Sequence, residues 1–187
     1  MNAYICLIIA FWLNYLSSIK CKKLAEKHLD NPYVPVYDII HKNTNKISTD
    51  VPEYLLALSF IFALINYLFF VTENYNEKLN NNISYLIYSL ILRAVTTCTT
   101  IIPTCMPIPI GEKSAYKKIF VSTHDLMYSG HTIIFIFFGK MLEYNSSTNI
   151  LGKVVQYIFP ISLILSRHHY TTDVIVSFLV YNFFNKF

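Results

Sequence analysis

Two short strings in the last third of the chain bring together residue types that handle phosphate esters. In His169-Tyr170-Thr171-Thr172-Asp173 the histidine and the aspartate are four positions apart, a spacing that on a helix puts both side chains on one side. A carboxylate bonded to one ring nitrogen fixes the imidazole tautomer and leaves the other nitrogen free to attack or to accept a proton. In Tyr128-Ser129-Gly130-His131-Thr132 a glycine allows close backbone approach beside a second histidine. Two histidines and one carboxylate are the minimum set for phosphoryl transfer through a phosphohistidine: one imidazole attacks phosphorus and the other protonates the leaving oxygen. That chemistry needs no metal and no cofactor. The metal-dependent alternative, zinc on His131, His169 and Asp173, has no HExxH string behind it. The structural alternative is an interfacial histidine that only hydrogen-bonds its neighbours; two such strings on one face weigh against it.

Membrane helices must carry these strings. A chain of 187 residues that is 54% hydrophobic and 14% charged, with mean hydropathy +0.41, does not fit a soluble domain. Uncharged or nearly uncharged runs predict an all-α polytopic membrane protein, a single domain over 1–187, with six spans at about 3–19, 54–72, 83–102, 128–142, 150–166 and 172–187. The first run lacks the basic start and small-residue cleavage site of a signal peptide. Parity over six spans places 20–53, 103–128 and 167–172 on one side of the bilayer, with 20–53 a polar loop holding Pro32, Pro35 and Pro52. His124, His131, His168 and His169 then lie near the starts of spans four and six, where helix N-termini favour a phosphate.

Composition also excludes several functions. A net charge of +4, dispersed along the chain, gives no nucleic-acid groove. Cys6, Cys21, Cys98 and Cys105 show neither CxxC nor finger spacing, so no zinc module or disulfide scaffold follows, and pairing of Cys21 with Cys105 stays open.

The string Asp125-Leu-Met-Tyr-Ser-Gly-His-Thr132 followed by His169-Tyr-Thr-Thr-Asp-Val174 resembles the two signature motifs of the sphingomyelin synthases and related sphingolipid synthases, six-span relatives of the lipid phosphate phosphatases. Pro35-Val-Tyr-Asp38 resembles the Pro-Leu-Pro-Asp element after span one, and Arg93-Ala-Val-Thr-Thr resembles the Arg-containing third span. The resemblance runs from about Pro32 to the C-terminus. It implies that His169 is the nucleophile, that Asp173 supports it, and that His131 is the general acid and base. Asp125, Ser129, Gly130, Tyr170, Arg93 and Asp38 would be substrate-binding or accessory residues. The implied reaction moves a phospho-head group, phosphocholine above others, from a glycerophospholipid donor to ceramide and releases diacylglycerol. The implied setting is a multi-pass protein of the Golgi, endoplasmic reticulum or plasma membrane with a lumenal or exoplasmic site; a homo-oligomer stays open. The chain departs from the family at Thr123-His124-Asp125, where Cys-Gly-Asp is usual, and at Ser166-Arg167-His168, so the head group is left open. Tyr33, Tyr37, Tyr116, Tyr128 and Tyr170 are the aromatic residues that a choline pocket would draw on.

Two other readings compete. A lipid phosphate phosphatase shares the two-histidine logic but gives the phosphoryl group to water, and its Arg-Pro element is absent from the chain. A scramblase or channel would use the polar residues to line a path, with Arg93 inviting that reading most. Orientation carries a conflict of its own. Ten Lys and Arg fall on the side of the histidines (20, 22, 23, 27, 42, 46, 113, 117, 118 and 167) against four opposite (78, 140, 153 and 186), which by the positive-inside rule is a cytosolic side.

Overall fold

A computed structural model describes residues 3–28, 36–70, 73–103 and 128–185. The described residues form helices and connecting turns, with no strand among them. In chain order the helices are α1 (Ala3–His28), α2 (Ile39–Asn43), α3 (Val51–Phe70), α4 (Glu73–Thr99) and α5 (Gly130–Glu143). A composite segment follows: a 3-10 turn (Ser146–Thr148), α6 (Asn149–Lys153), a π turn (Val154–Ile158) and α7 (Ile161–Leu165). The last helix is α8 (Thr171–Phe184). The π turn stands just before Pro160, which has no N–H to continue an α ladder, and Phe159 N bonds instead to Val154 O, five residues back.

Among the described residues three stretches are long and apolar enough to cross a membrane: 3–25, 51–70 and 146–165. The other three expected spans are helices that do not meet both requirements. The third expected span is part of a longer helix: α4 starts at Glu73 rather than near 83, and its first turns, rich in Asn and Glu, are polar. Helices α5 and α8 have 14 residues each, about 21 Å at 1.5 Å per residue, against a hydrocarbon core of about 30 Å. The first helix does not end at 19 but runs through the lysines to His28, because Lys, Leu and Ala are good helix formers and long cationic side chains reach outward. The expected loop 20–53 therefore begins as helix and also contains α2.

The packing is that of a protein solvated by lipid. Large apolar side chains such as Trp12, Leu16, Phe60 and Leu68 are exposed, whereas Asn14, Ser17, Ser59, Asn66, Asn82 and Ser89 are buried between helices. Small and polar residues inside with apolar residues outside is the arrangement expected where water supplies no drive to bury the apolar ones. Helix α5 runs through the middle of the bundle, contacting α3, α4, α8 and the composite segment. Its crossing with α6 depends on two glycines: a Cβ on Gly139 would lie 2.7 Å from Gly152 O, and one on Gly152 2.6 Å from Gly139 O. Polar ties close the end remote from the histidines, where Asn66 Nδ2 donates to Met141 O (2.9 Å) and Thr148 Oγ1 to Asn66 Oδ1 (3.1 Å).

Candidate active site

The fold brings the two histidine strings together. The rings of His131, in the first turn of α5, and His169, just ahead of α8, have centroids 5.9 Å apart. His169 Nδ1 lies 3.4 Å from Asp173 Oδ2, and both side chains are buried. That is an ion-pair distance, longer than a well-formed hydrogen bond, and Nδ1 makes no hydrogen bond among the described residues. The pairing does not come from two residues stacked on one helix, as the four-residue spacing predicts. Helix α8 begins at Thr171, so His169 precedes the cap, and Asp173 turns back to accept a hydrogen bond from Tyr170 N at 2.9 Å. The aspartate meets the imidazole because it caps the helix.

Ser129, Gly130 and Arg93 complete this side. Ser129 Oγ caps α5 by accepting from Thr132 N (3.1 Å). Arg93 is buried, donating from Nε to Tyr128 O (3.3 Å) and from Nη1 to Asn14 Oδ1 (3.0 Å). Gly130 allows the approach: a Cβ there would stand 3.3 Å from Arg93 Nε and 3.4 Å from Cζ. A guanidinium thus lies against the residue before His131, where an anion would be stabilised.

The N-terminal amides are less open than the sequence suggests. Thr171 N donates to Asp38 Oδ2 (2.7 Å), Thr132 N to Ser129 Oγ, and Ser129 N to Ser177 Oγ (2.7 Å). Asp38 therefore does not face the histidines. It caps α2 through Ile40 N and His41 N, and holds α8 through the backbone and hydroxyl of Thr171. Burial pushes its carboxyl up, but these hydrogen bonds outweigh burial and leave it below the usual 3.8. Tyr170 stacks its ring on His41, accepts from Val36 N and donates to Pro103 O, so it ties the α8 start to two other segments. His168 Nδ1 is 2.7 Å from Ser166 Oγ, and Arg167 between them has a left-handed backbone (φ 62°), a conformation costing about 1–2 kcal/mol for a residue with a Cβ. Asp125, His124, Tyr33, Tyr116 and Cys105 lie outside the described residues.

Three positions escaped the sequence reading. Ser177, fully buried, donates from Oγ toward Asp173 O (2.6 Å) and Ser129 O (3.1 Å) while accepting from Ser129 N, so it clasps the two histidine strings. Its signal was available: Ser177 continues the four-residue spacing that links His169 to Asp173. Asn14, the partner of Arg93, was legible only as a lone amide in an apolar run. His41, bonded to the carbonyl of His169, had no local signal because the contact spans 128 residues. Among the described residues no three His, Cys, Asp or Glu side chains are grouped as a metal would require.

Residues 123–187, about a third of the chain, match the family model described as PAP2 superfamily C-terminal. The match supports membership in the lipid phosphate phosphatase superfamily and covers both histidine strings. It supports, at that level, an enzyme of phosphatase or phosphotransferase type acting on lipid phosphates. No curated protein matches the chain.

Proposed function

We propose that the protein is a sphingolipid synthase that transfers a phospho-head group, phosphocholine in the first instance, from a glycerophospholipid to ceramide. The observation that carries this reading is the juxtaposition of His131 and His169 at 5.9 Å with Asp173 behind His169 and Arg93 against Gly130. With Nδ1 turned to Asp173, His169 presents Nε2 to phosphorus. Attack breaks the bond to the diacylglycerol oxygen, which takes its proton from His131. In the second half the primary hydroxyl of ceramide gives its proton to His131 and attacks phosphorus, and the phosphorus–nitrogen bond breaks. In this reaction the Arg93 guanidinium, packed against Gly130, would neutralise charge on the phosphoryl oxygens. The proposal carries six crossings and a lumenal or exoplasmic site.

The family match is equally compatible with a lipid phosphate phosphatase, in which water replaces ceramide. One experiment separates them. Purified protein is incubated with labelled ceramide and, separately, phosphatidylcholine, phosphatidylethanolamine or phosphatidylinositol. A phosphosphingolipid with diacylglycerol is the expected product, and its head group names the donor. Phosphatidate, a phosphomonoester, is a fourth donor: release of free phosphate from it, with no phosphosphingolipid from the other three at saturating ceramide, assigns the phosphatase instead.

A further inference from the structure

The stretch from Val36 into α2 is joined to three consecutive residues, 169 to 171, at the start of α8. Asp38 holds Thr171, Val36 N donates to Tyr170 Oη (2.8 Å), and His41 Nε2 lies 3.1 Å from His169 O. Arg167 Nη2 returns a bond to His41 O (2.8 Å). Of these contacts, the one from His41 falls on the backbone of His169 itself. A carbonyl only accepts, so His41 must carry its proton on Nε2. The imidazole is buried and lies flat against Tyr170, with centroids 5.8 Å apart and planes 28° apart.

We propose that His41 is a positioning residue for His169: its Nε2–H fixes the carbonyl of that residue and with it the direction in which the His169 ring projects toward His131. The assignment rests on the reading of His169 as the nucleophile. The His169 side chain meets Asp173 at ion-pair distance but has no hydrogen bond at Nδ1 among the described residues, so its aim depends also on how firmly its backbone is held. His169 sits outside any helix, and the regular ladder that holds His131 in α5 does not reach it. The His169 N–H reaches Leu163 O at 3.3 Å, and the bond to its carbonyl from a separate segment supplies the second hold.

Two substitutions part the donor from the ring. His41→Phe keeps a flat ring for Tyr170 and deletes the N–H; His41→Gln keeps an N–H donor and deletes the ring. Each variant of the full chain is purified, and turnover per folded molecule is measured with whichever acceptor, ceramide or water, the wild type uses. The expected result is a kcat in His41→Phe lowered by about 100-fold, the cost of a reacting group displaced by about 1 Å, with KM unchanged. His41→Gln should recover most of the loss. Wild-type kcat in His41→Phe, a loss confined to KM, or equal losses in both variants would overturn the assignment. Should His41→Phe fail to fold, His41→Gln decides alone: near-wild-type kcat supports the role of the donor and a 100-fold loss refutes it. His169→Ala runs alongside: full activity there defeats the nucleophile reading itself, whereas an inactive His169→Ala beside a fully active His41→Phe defeats only the role given to His41.

Discussion

Replacing Ser177 by Ala should slow the enzyme far more than it destabilises it. The hydroxyl is fully buried and is the only side chain among the described residues bonded to the backbone of both Ser129 and Asp173. Its removal strands little. Ser129 N retains Asp173 O at 3.2 Å, and Ser129 O retains Ile133 N at 3.2 Å. With no donor or acceptor left fully unpaired, the loss of stability should be about 1 kcal/mol, the net worth of an ordinary hydrogen bond, or about 2–4 °C in the unfolding midpoint of a chain this size. Catalysis is exposed differently. The clasp sits two residues before His131 on one side and at Asp173 on the other, so losing it leaves the Ser129 N to Asp173 O bond to hold these two residues together and loosens α5 against α8. A shift of about 1 Å between reacting groups costs about 100-fold in rate, equivalent to about 2.7 kcal/mol of barrier.

The two magnitudes are separable in one preparation. Thermal unfolding in detergent gives the stability term, and a single turnover with whichever donor and acceptor the wild type uses gives the rate per folded molecule. A drop in rate near 100-fold with a midpoint shift of a few degrees is the expected pair. Unchanged turnover per folded molecule would refute the idea that this hydroxyl sets the spacing of the histidines. Loss of activity that only tracks loss of folded protein would make Ser177 a packing residue.

His169→Ala should abolish turnover, His131→Ala should cost about 100- to 10,000-fold as a positioned general acid does, and His168→Ala should be mild because its Nδ1 is engaged with Ser166. Kinetics normalised to folded protein checks the order. Gly139→Ala should destabilise by about 1–3 kcal/mol, since the new Cβ would sit 2.7 Å from the backbone oxygen of Gly152; a thermal melt measures it. Reporters at Lys42 and Arg167 should lie on the side of the membrane opposite one at Asn81, and any other outcome breaks the six-crossing topology. The carboxyl of Asp38 is depressed in the fold, so its contribution to stability is fully present above its ordinary value of 3.8 and is lost as pH falls through the lower folded value. The stability difference between wild type and Asp38→Asn should therefore be flat from about pH 5 upward and shrink in stronger acid.

How much of this was legible depends on how local the signal is. The Ser-Gly-His string and the spacing from His169 to Asp173 are local, and the fold brings these residues together. The geometry that unites them was misread even so, because helix periodicity says nothing about where a helix begins, and Asp173 reaches His169 by capping Tyr170. The apolar runs of 3–19, 54–72 and 150–166 gave helices, with ends displaced by up to nine residues, since hydropathy marks where lipid ends and not where the backbone ladder ends. Asp38 was picked out by a resemblance and placed among substrate-binding or accessory residues; the structure shows it holding Thr171. His41 was invisible because nothing near it in the chain discloses a partner 128 residues away.

Depth bears on the choice between ceramide and water. Arg93 lies six residues inside the end of α4 at Thr99, about 9 Å along the axis, and Asn14, its partner, lies 14 residues inside the end of α1 at His28, about 21 Å. Gly130 packs against that guanidinium, so His131 begins its helix well below the level to which α1 extends. Tyr170, next to His169 in the chain, joins Val36 N and Pro103 O. A phosphohistidine formed at this level is recessed from the ends of the longer helices, and a transferase gains from such a position because the competing reaction with water is suppressed. In the proposed reaction a lipid alcohol would approach from within the bilayer, whereas water would approach past the segments that Tyr170 joins. If the proposed transferase reading holds, the ratio of phosphosphingolipid to free phospho-head group measures how far this recess excludes water. A Tyr170→Ala variant unties those two segments, and a shift of that ratio toward hydrolysis is the expected result; an unchanged ratio would show that this tie does not govern access of water.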